Sequence, residues 1–467
     1  MGVALMLVAG LVVAACGTRL SDQRFAEMSG AGTAQQAASS TTGGTTTGGL
    51  ADTTTGGTTT GGTTGGTGGS TTGGTTTGGA TGGTTGGTAG GAACTPGTAT
   101  STGVTPTEIK IGNVSQITGL VPGFAQTSVN GIKAYFNYIN STQGGVCGRK
   151  LTLVQSDDRF QSATNRSETE KLAGQVVAFG GSLSVVDDGG APILDQKGVA
   201  DVSLATTPPR VAAKDSFPPN PTDPTPGAGN GTDKILKYFK ATQGVNKAAI
   251  FYQDVATGVN QSKNFMIDLG KAGIGVVGTY PVAPTATNFR AQAQDMKQKG
   301  VDLIYTIAEV NAIANLARAF GDVGYFPKVA FYGAQVYGHK FLQLAGASAE
   351  NTVAGLIFHI PEDAGTNPAM ATFNTWYART APGADVDFFS IVSWVAGEML
   401  VKALTMAGPD PTQAKVVAAL KTFTNYSSDY VAPINPAGKK PSQCFEIAQV
   451  KGGKWQKTYP AGPGFAC

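Results

Sequence analysis

The chain has 467 residues, with 33 basic residues, 30 acidic residues and a formal net charge of +3. Charges of both signs are interspersed without a basic stripe, which argues against nucleic acid as a partner. No P-loop occurs, so we expect no nucleotide cofactor. The only histidines are His339 and His359 and no C-x-x-C pair is present, so the sequence predicts no metal site.

An apolar run over residues 4–15 ends in the sequence VVAACG, in which small residues precede Cys16. The run is shorter than the roughly 20 residues that span a bilayer, so it is typical of a signal peptide. We expect residues 1–15 to be removed and Cys16 to carry a lipid that anchors the protein outside the cytoplasm. No Lys or Arg precedes Cys16, unlike most export signals. The alternative is the start of a buried helix with a structural cysteine.

Residues 16–105 are predicted to be a disordered tether. Residues 41–91 are almost wholly Thr and Gly, and Asp52 is the only charged residue between Glu27 and Glu108. Such a stretch has too few apolar side chains to form a core. As a flexible coil it would span about 40 Å.

The remaining residues, roughly 370 in number, suit two lobes better than one core. Short apolar runs alternate with helical patterns, which predicts α/β lobes that are doubly wound around parallel sheets. Strands are expected at 109–114, 151–155, 199–203, 248–252, 276–280, 303–306, 329–332, 356–360, 445–450 and 454–459. Helices are expected around 132–139 and at 288–299, 313–320, 368–380, 388–407 and 411–423.

The alternation stops at residues 207–231, which contain seven prolines. Proline at this density disfavours both helix interiors and central strands. We therefore expect an exposed loop near the first crossing between the lobes.

Four cysteines follow Cys16, an even number that is typical of an oxidising compartment. Three disulfide connectivities are possible. We favour Cys444 with Cys467, which closes the C-terminal segment on itself, and Cys94 with Cys147, which attaches the end of the tether to the first lobe.

Residues 108–160 resemble the opening of the type 1 periplasmic binding proteins, the leucine/isoleucine/valine-binding kind. The similarity lies in a strand that leads into "ITG", a helix that ends in "YIN", the passage "GGVCGRKL" and a second strand that ends in "SDD". It continues through "AAIFYQDVATGV", "VDLIYTIAEVNAIANLARAFGDVG" and "VAFYGAQVYG", and covers about residues 108–407.

The resemblance implies a clamshell of two Rossmann-like lobes joined by three hinge segments. We assign residues 106–232 and 363–430 to the first lobe, and residues 233–362 and 431–467 to the second. The implied function is capture of a small polar organic solute, such as an amino acid or a related carboxylate or amide. The protein would be a monomer that delivers this solute to the permease of an ABC importer. The alternative is a ligand sensor coupled to a membrane receptor, because the same fold serves both roles.

In the first lobe, the family residues that bind a ligand carboxylate match Ser184 in "GGSLS" and Ala205, Thr206 and Thr207 in "SLATT". Hydroxyls and N–H groups at the carboxyl ends of parallel strands can form an anion site. Ser184 can instead cap a helix, and Thr207 precedes Pro208 and can simply be extended loop. The loop after the first strand adds Ser115, Gln116 and Thr118 as candidates.

In the second lobe, a family carboxylate that pairs with the ligand ammonium is replaced by Gln335, and a family tyrosine is replaced by Glu309. Glu309 either faces the cleft and receives an amine or lies on the surface. Tyr252, Asp254 and Thr257 are further candidates. The ligand therefore need not be a branched-chain amino acid.

The sequence does not favour an enzyme. Ser182 in "GGSLS" lacks the final glycine of a nucleophile elbow. Neither histidine has an acidic partner nearby in the sequence, so an acyl-transfer triad has little support.

Overall fold

The structure is a computed structural model that describes Cys94, residues 97–119 and residues 121–467. The predicted signal peptide, the lipidation site Cys16 and most of the predicted tether lie outside the described residues. Within the described part, residues 97–105 already pack against the first lobe. Val104 is buried, and Arg149 donates hydrogen bonds to the carbonyl oxygens of Ala99 and Thr105 at 3.0 and 2.7 Å. The packed chain thus begins before residue 106, where the sequence places the lobe boundary.

The described residues contain eleven strands and twelve α-helices. The strands are β1 (Glu108–Ser115), β2 (Lys150–Asp157), β3 (Ala178–Gly180), β4 (Asp201–Val202), β5 (Lys247–Gln253), β6 (Gly275–Val282), β7 (Leu303–Ile307), β8 (Val329–Phe331), β9 (Thr352–Leu356), β10 (Glu446–Lys451) and β11 (Lys454–Tyr459). The helices are α1 (Gln126–Thr142), α2 (Ser162–Ala173), α3 (Ala191–Lys197), α4 (Pro208–Ala212), α5 (Asp233–Gln243), α6 (Ala256–Lys271), α7 (Arg290–Lys299), α8 (Val310–Asp322), α9 (His339–Ala345), α10 (Pro368–Thr380), α11 (Phe388–Ala407) and α12 (Gln413–Leu420).

Two separate sheets form the two lobes. The first has the order β2-β1-β3-β4 and is parallel throughout. The second has the order β11-β10-β9-β8-β7-β5-β6, with β5 to β9 parallel and β10 antiparallel to both of its neighbours. The chain crosses between the sheets after α4, after β9 and before β10. The predicted fold class, two doubly wound lobes joined by three segments, is confirmed.

Two strand predictions differ from the structure. The sequence predicts a strand at 356–360, but β9 ends at Leu356, and Phe358 instead forms a bridge with Val431 where two crossings run side by side. The apolar residues after Leu356 are therefore buried at the crossing. Strand β3 is not predicted at all, because its three buried residues are too few to form a period.

The first half of the proline-rich run is not the exposed loop that the sequence predicts, whereas residues 224–227 are exposed. Pro208 and Pro209 open helix α4, where the missing N–H of proline costs nothing and its fixed φ suits a first turn. Phe217 is 1% exposed, and Pro218 and Pro219 beside it are also buried. The first half of the run is therefore part of the packed lobe.

Both favoured cysteine pairs lie at disulfide distance. The Cα atoms of Cys94 and Cys147 are 5.1 Å apart, and those of Cys444 and Cys467 are 4.0 Å apart. The first pair places the start of the described chain beside the turn before β2, and the second places the C-terminus beside the segment before β10.

Helix α11 is the central helix of the first lobe. Among the described residues it is the one helix long and apolar enough to cross a bilayer, but 72% of its most apolar window is buried within the protein. It packs against α1, where a Cβ atom at Gly131 would overlap the carbonyl oxygen of Ser390. The two helices approach this closely because Gly131 has no side chain.

We expect Gly131→Ala to lower the free energy of unfolding by about 1–3 kcal/mol, because the added methyl group must push α1 and α11 apart. Gly270 is a matched control, since it also lies in a helix but has no atom within 4 Å of the place that an added methyl group would take. Gly270→Ala should instead stabilise the protein by about 0.5 kcal/mol. Urea unfolding measures both values, and equal effects of the two variants would contradict the proposed close approach.

Candidate ligand-binding cleft

A cleft of about 510 Å³ lies between the two lobes. Its first wall comes from the loops that follow β1, β3 and β4, and its second from the loops that follow β5, β7 and β8. Both sheets thus present the carboxyl ends of their parallel strands to the cleft. In open α/β sheets this edge is where ligands bind.

Apolar side chains dominate the wall from the first lobe. Phe124 and Phe389 contact each other edge to face with ring centroids 5.5 Å apart, and Leu183 and Leu204 lie in the same wall. Val310 and Ile307 extend the apolar surface on the second lobe. The cleft therefore suits a ligand with an apolar body and few polar groups.

Four of the ten predicted ligand contacts line this cleft, namely Ala205, Thr206, Glu309 and Gln335. The other six are not among its lining residues, namely Ser115, Thr118, Ser184, Thr207, Tyr252 and Asp254. Gln116 and Thr257, which the sequence also indicates, line the cleft. Direct contact of any of these residues with a ligand stays a prediction.

Two hydroxyls at the carboxyl end of β1 make hydrogen bonds within the first lobe. The Ser115 hydroxyl donates to Asn113 Oδ1 at 2.7 Å and accepts from the backbone N–H of Leu183 at 3.1 Å. The Thr118 hydroxyl donates to Asp157 Oδ2 at 2.5 Å. Both side chains therefore shape the loop after β1.

Ser184 and Thr207 are likewise turned inward. The Ser184 hydroxyl accepts from the backbone N–H of Val186 at 3.1 Å and faces a buried cavity of only about 10 Å³. The Thr207 hydroxyl donates to Asp187. Ser184 does not cap a helix, which is the alternative that the sequence leaves open, but its hydroxyl makes a local hydrogen bond instead.

Asp187 organises the loop after β4, a role that sequence reasoning missed. Its carboxylate accepts from the backbone N–H groups of Thr206 and Thr207 at 2.8 and 3.0 Å. Burial raises the pKa of the Asp187 carboxyl to about 6, against the opposing effects of Arg210 and these hydrogen bonds. The partners are 19 and 20 residues away, so no local pattern marks the contact.

Two polar residues of the second wall also make hydrogen bonds within the protein. Glu309 caps α8, and its carboxylate accepts from the backbone N–H groups of Asn311 and Ala312, both at 2.9 Å. Gln335 donates through Nε2 to the carbonyl oxygens of Thr306 and Tyr332 at 3.2 and 3.0 Å. Glu309 thus lines the cleft, as one of the two alternatives expects, but its carboxylate already has protein partners.

One side-chain cluster among the described residues has the donor types of a metal site. Candidate ligand atoms of His359, Asp363 and Glu446 lie within 4.8 Å of one another. Glu446 Oε2, however, already contacts His359 Nδ1 at 2.8 Å and the ammonium of Lys457 at 3.2 Å. A cation would have to displace the lysine, so the donor set fits an internal ion-pair network better than a metal.

Three glycines match the G-x-G-x-x-G spacing of a dinucleotide-binding loop, which sequence reasoning overlooked. Gly273 precedes strand β6, and Gly275 and Gly278 lie within it. A dinucleotide loop instead connects a strand to the start of a helix. The spacing is therefore not a cofactor site here.

The chain belongs to the periplasmic binding protein family, because the family model for periplasmic binding proteins matches residues 108–454. The Leu/Ile/Val-binding protein BraC3 of Rhizobium johnstonii is 24% identical over 324 residues, which cover 67% of this chain and 83% of that protein. The family consists of solute-binding proteins that act outside the cytoplasm.

Solved structures support the fold. A fatty acid ABC transporter substrate-binding protein from Thermomonospora curvata superposes with a TM-score of 0.67 and 18% identity, covering 79% of this chain and 95% of that one. A branched-chain amino acid ABC transporter protein from Thermus thermophilus with bound valine superposes with a TM-score of 0.64 and 15% identity, covering 75% and 95%. Both have the two-lobed type 1 fold.

The raised pKa of Asp187 predicts how stability changes with pH. An unfolded aspartate titrates near 3.9, so between about pH 4 and 6 the folded chain binds a proton that the unfolded chain releases. The contribution of this group to stability is therefore present at low pH and is lost as pH rises through about 6.

From pH 7 to pH 5, we expect Asp187 to add about 1 kcal/mol to the free energy of unfolding. Asp187→Asn should remove that part of the pH dependence. Urea unfolding of both proteins at the two pH values tests this, and an unchanged pH dependence in the variant would show that Asp187 titrates normally.

Proposed function

We propose that the protein is the solute-binding component of an ABC importer and captures a small organic solute between its two lobes. The solute is an amino acid or a related carboxylate or amide. The observation that supports this most directly is the cleft between the carboxyl ends of both parallel sheets, in a chain of the periplasmic binding protein family. The mechanism is capture without a chemical step.

Closure of the lobes around the solute provides the signal to the importer. The first lobe comprises residues 106–232 and 363–430, with residues 97–105 packed against it, and the second comprises residues 233–362 and 431–467. Two crossings are held side by side by the bridge between Phe358 and Val431 and by a hydrogen bond from Ala432 N–H to Ile357 O at 2.9 Å. A ligand that contacts both walls favours the closed arrangement, which the permease then recognises.

The protein acts as a lipid-anchored monomer on the outer side of the cell membrane. Residues 1–15 are the signal peptide, Cys16 carries the lipid, and the Thr/Gly-rich segment gives the lobes local freedom to diffuse. The disulfides Cys94–Cys147 and Cys444–Cys467 form in this oxidising setting, which agrees with the Cα separations of 5.1 and 4.0 Å.

Solute binding should appear as a thermal shift of the full-length protein. A ligand at 1,000 times its dissociation constant adds about 4 kcal/mol to stability, which should raise the melting temperature by several degrees. The panel comprises amino acids, amides, aliphatic and aromatic carboxylates, amines and sugars.

Ala205→Trp, which fills the cleft, should abolish the shift, whereas Ala241→Trp on the exposed face of α5 should leave it unchanged. If no compound shifts the protein after a cycle of denaturation and refolding that removes bound ligand, solute capture is wrong. A shift that Ala205→Trp preserves would place the ligand elsewhere.

The lipid anchor predicts that Cys16→Ser moves the protein from the membrane fraction to the soluble fraction, because the single attachment site is lost. Cys94→Ser removes a different cysteine and should leave the protein in the membrane fraction. Fractionation with immunodetection measures both. Membrane retention of the Cys16 variant would refute the anchor.

A further inference from the structure

Gln116 is a buried polar side chain at the end of β1, in the floor of the cleft. Its backbone is fixed, since its N–H donates to Leu183 O at 2.9 Å and its carbonyl oxygen accepts from Ala125 N–H at 3.2 Å. The residue is only 1% exposed. These two hydrogen bonds hold the backbone of Gln116 in place beside the cleft.

The Oε1 atom of the Gln116 carboxamide is fully buried and has no hydrogen-bond partner among the described residues. Buried side-chain amides are nearly always paired, because an unpaired one has lost its contacts with water. Gln335 in the opposite wall shows the usual arrangement, with its Nε2 donating to two carbonyl oxygens. The free amide of Gln116 therefore points to a group that arrives from outside the protein.

The two carboxylates that line the cleft in the described part of the chain are both occupied. Glu309 accepts from two backbone N–H groups and from Asn311 Nδ2 at 2.6 Å. Asp387 caps α11, accepting from the backbone N–H of Ser390 at 2.9 Å and from the Thr127 hydroxyl at 2.7 Å. An ammonium group placed here would have to share these carboxylates with their protein donors, so it would gain less than it would from an unpaired anion.

The surfaces beside Gln116 are apolar. Leu183 lies next to it through the backbone contact, and Phe124 and Phe389 pack together in the same wall. A ligand whose head reaches Gln116 would place its remaining atoms against these side chains. Such burial favours a hydrocarbon or aromatic body.

We propose that the Gln116 carboxamide is the polar anchor for a ligand with an apolar body, a planar carboxamide or carboxyl head and no ammonium group. A glutamine amide offers one donor and one acceptor side by side in a plane. It pairs with both atoms of a carboxamide or a protonated acid, whose N–H or O–H group donates to Oε1. This inference rests on the proposed function, since it specifies the solute that the cleft captures.

The test uses three ligands with one carbon skeleton, namely 3-phenylpropanamide, 3-phenylpropanoate and phenylalanine. Calorimetric titration of the full-length protein should show the amide or the acid binding at least about tenfold more tightly than phenylalanine. Comparison of the amide with the acid identifies the head group. The pair 4-methylpentanoate and leucine repeats the comparison with an aliphatic body.

Gln116→Leu keeps the approximate volume of the side chain and removes the amide. We expect it to weaken the preferred ligand by about tenfold to a hundredfold while leaving the melting temperature of the ligand-free protein unchanged or higher. Gln335→Leu is the matched control, because it removes an amide that already has protein partners and should lower that melting temperature.

Each result separates this inference from the proposed function. Tighter binding of phenylalanine or leucine than of their ammonium-free partners overturns the inference alone. Unchanged affinity in Gln116→Leu, or a loss of ligand-free stability like that of Gln335→Leu, overturns the anchor role. Binding of no compound, in this series or in the wider panel, overturns both.

Discussion

Parallel strands with helices on both faces impose one constraint on which the rest of the molecule depends. All carboxyl ends in such a sheet lie along one edge, so the loops that follow the strands must gather there. Two lobes built this way face each other with those edges, and the cleft between them results from the topology. Gly131 lets α1 pack closely against α11. It thereby helps these helices to cover the first sheet and to hold its loops in position.

Three polar groups at or near the cleft make hydrogen bonds within the protein. Asp187 binds the loop after β4, Glu309 caps α8 and Gln335 joins two strand ends, so their hydrogen-bonding capacity is largely used before a ligand arrives. Such internal pairing fixes the walls in advance, which lowers the entropy cost of binding. Recognition is left to the few groups without protein partners and to the apolar surface around them.

Long periodic elements could be predicted from the sequence, because burial imposes a pattern on many residues at once. The bounds of α10 and α11 agree with the prediction, as do several strands of the second sheet. Strand β3 was not predicted, because three residues are too few to show a hydrophobic period. The contact of Asp187 with Thr207 and the pairing of His359 with Glu446, 87 residues apart, depend on tertiary structure that no local motif encodes.

The contact between Cys94 and Cys147, together with the hydrogen bonds from Arg149 to Ala99 and Thr105, joins the start of the described chain to the first lobe alone. The point of attachment therefore does not touch the second lobe. In the proposed closing motion, the first lobe would act as the stationary arm and the second as the moving one. Tension applied at this point of attachment would be carried by the first sheet and would do no work on opening or closing the cleft.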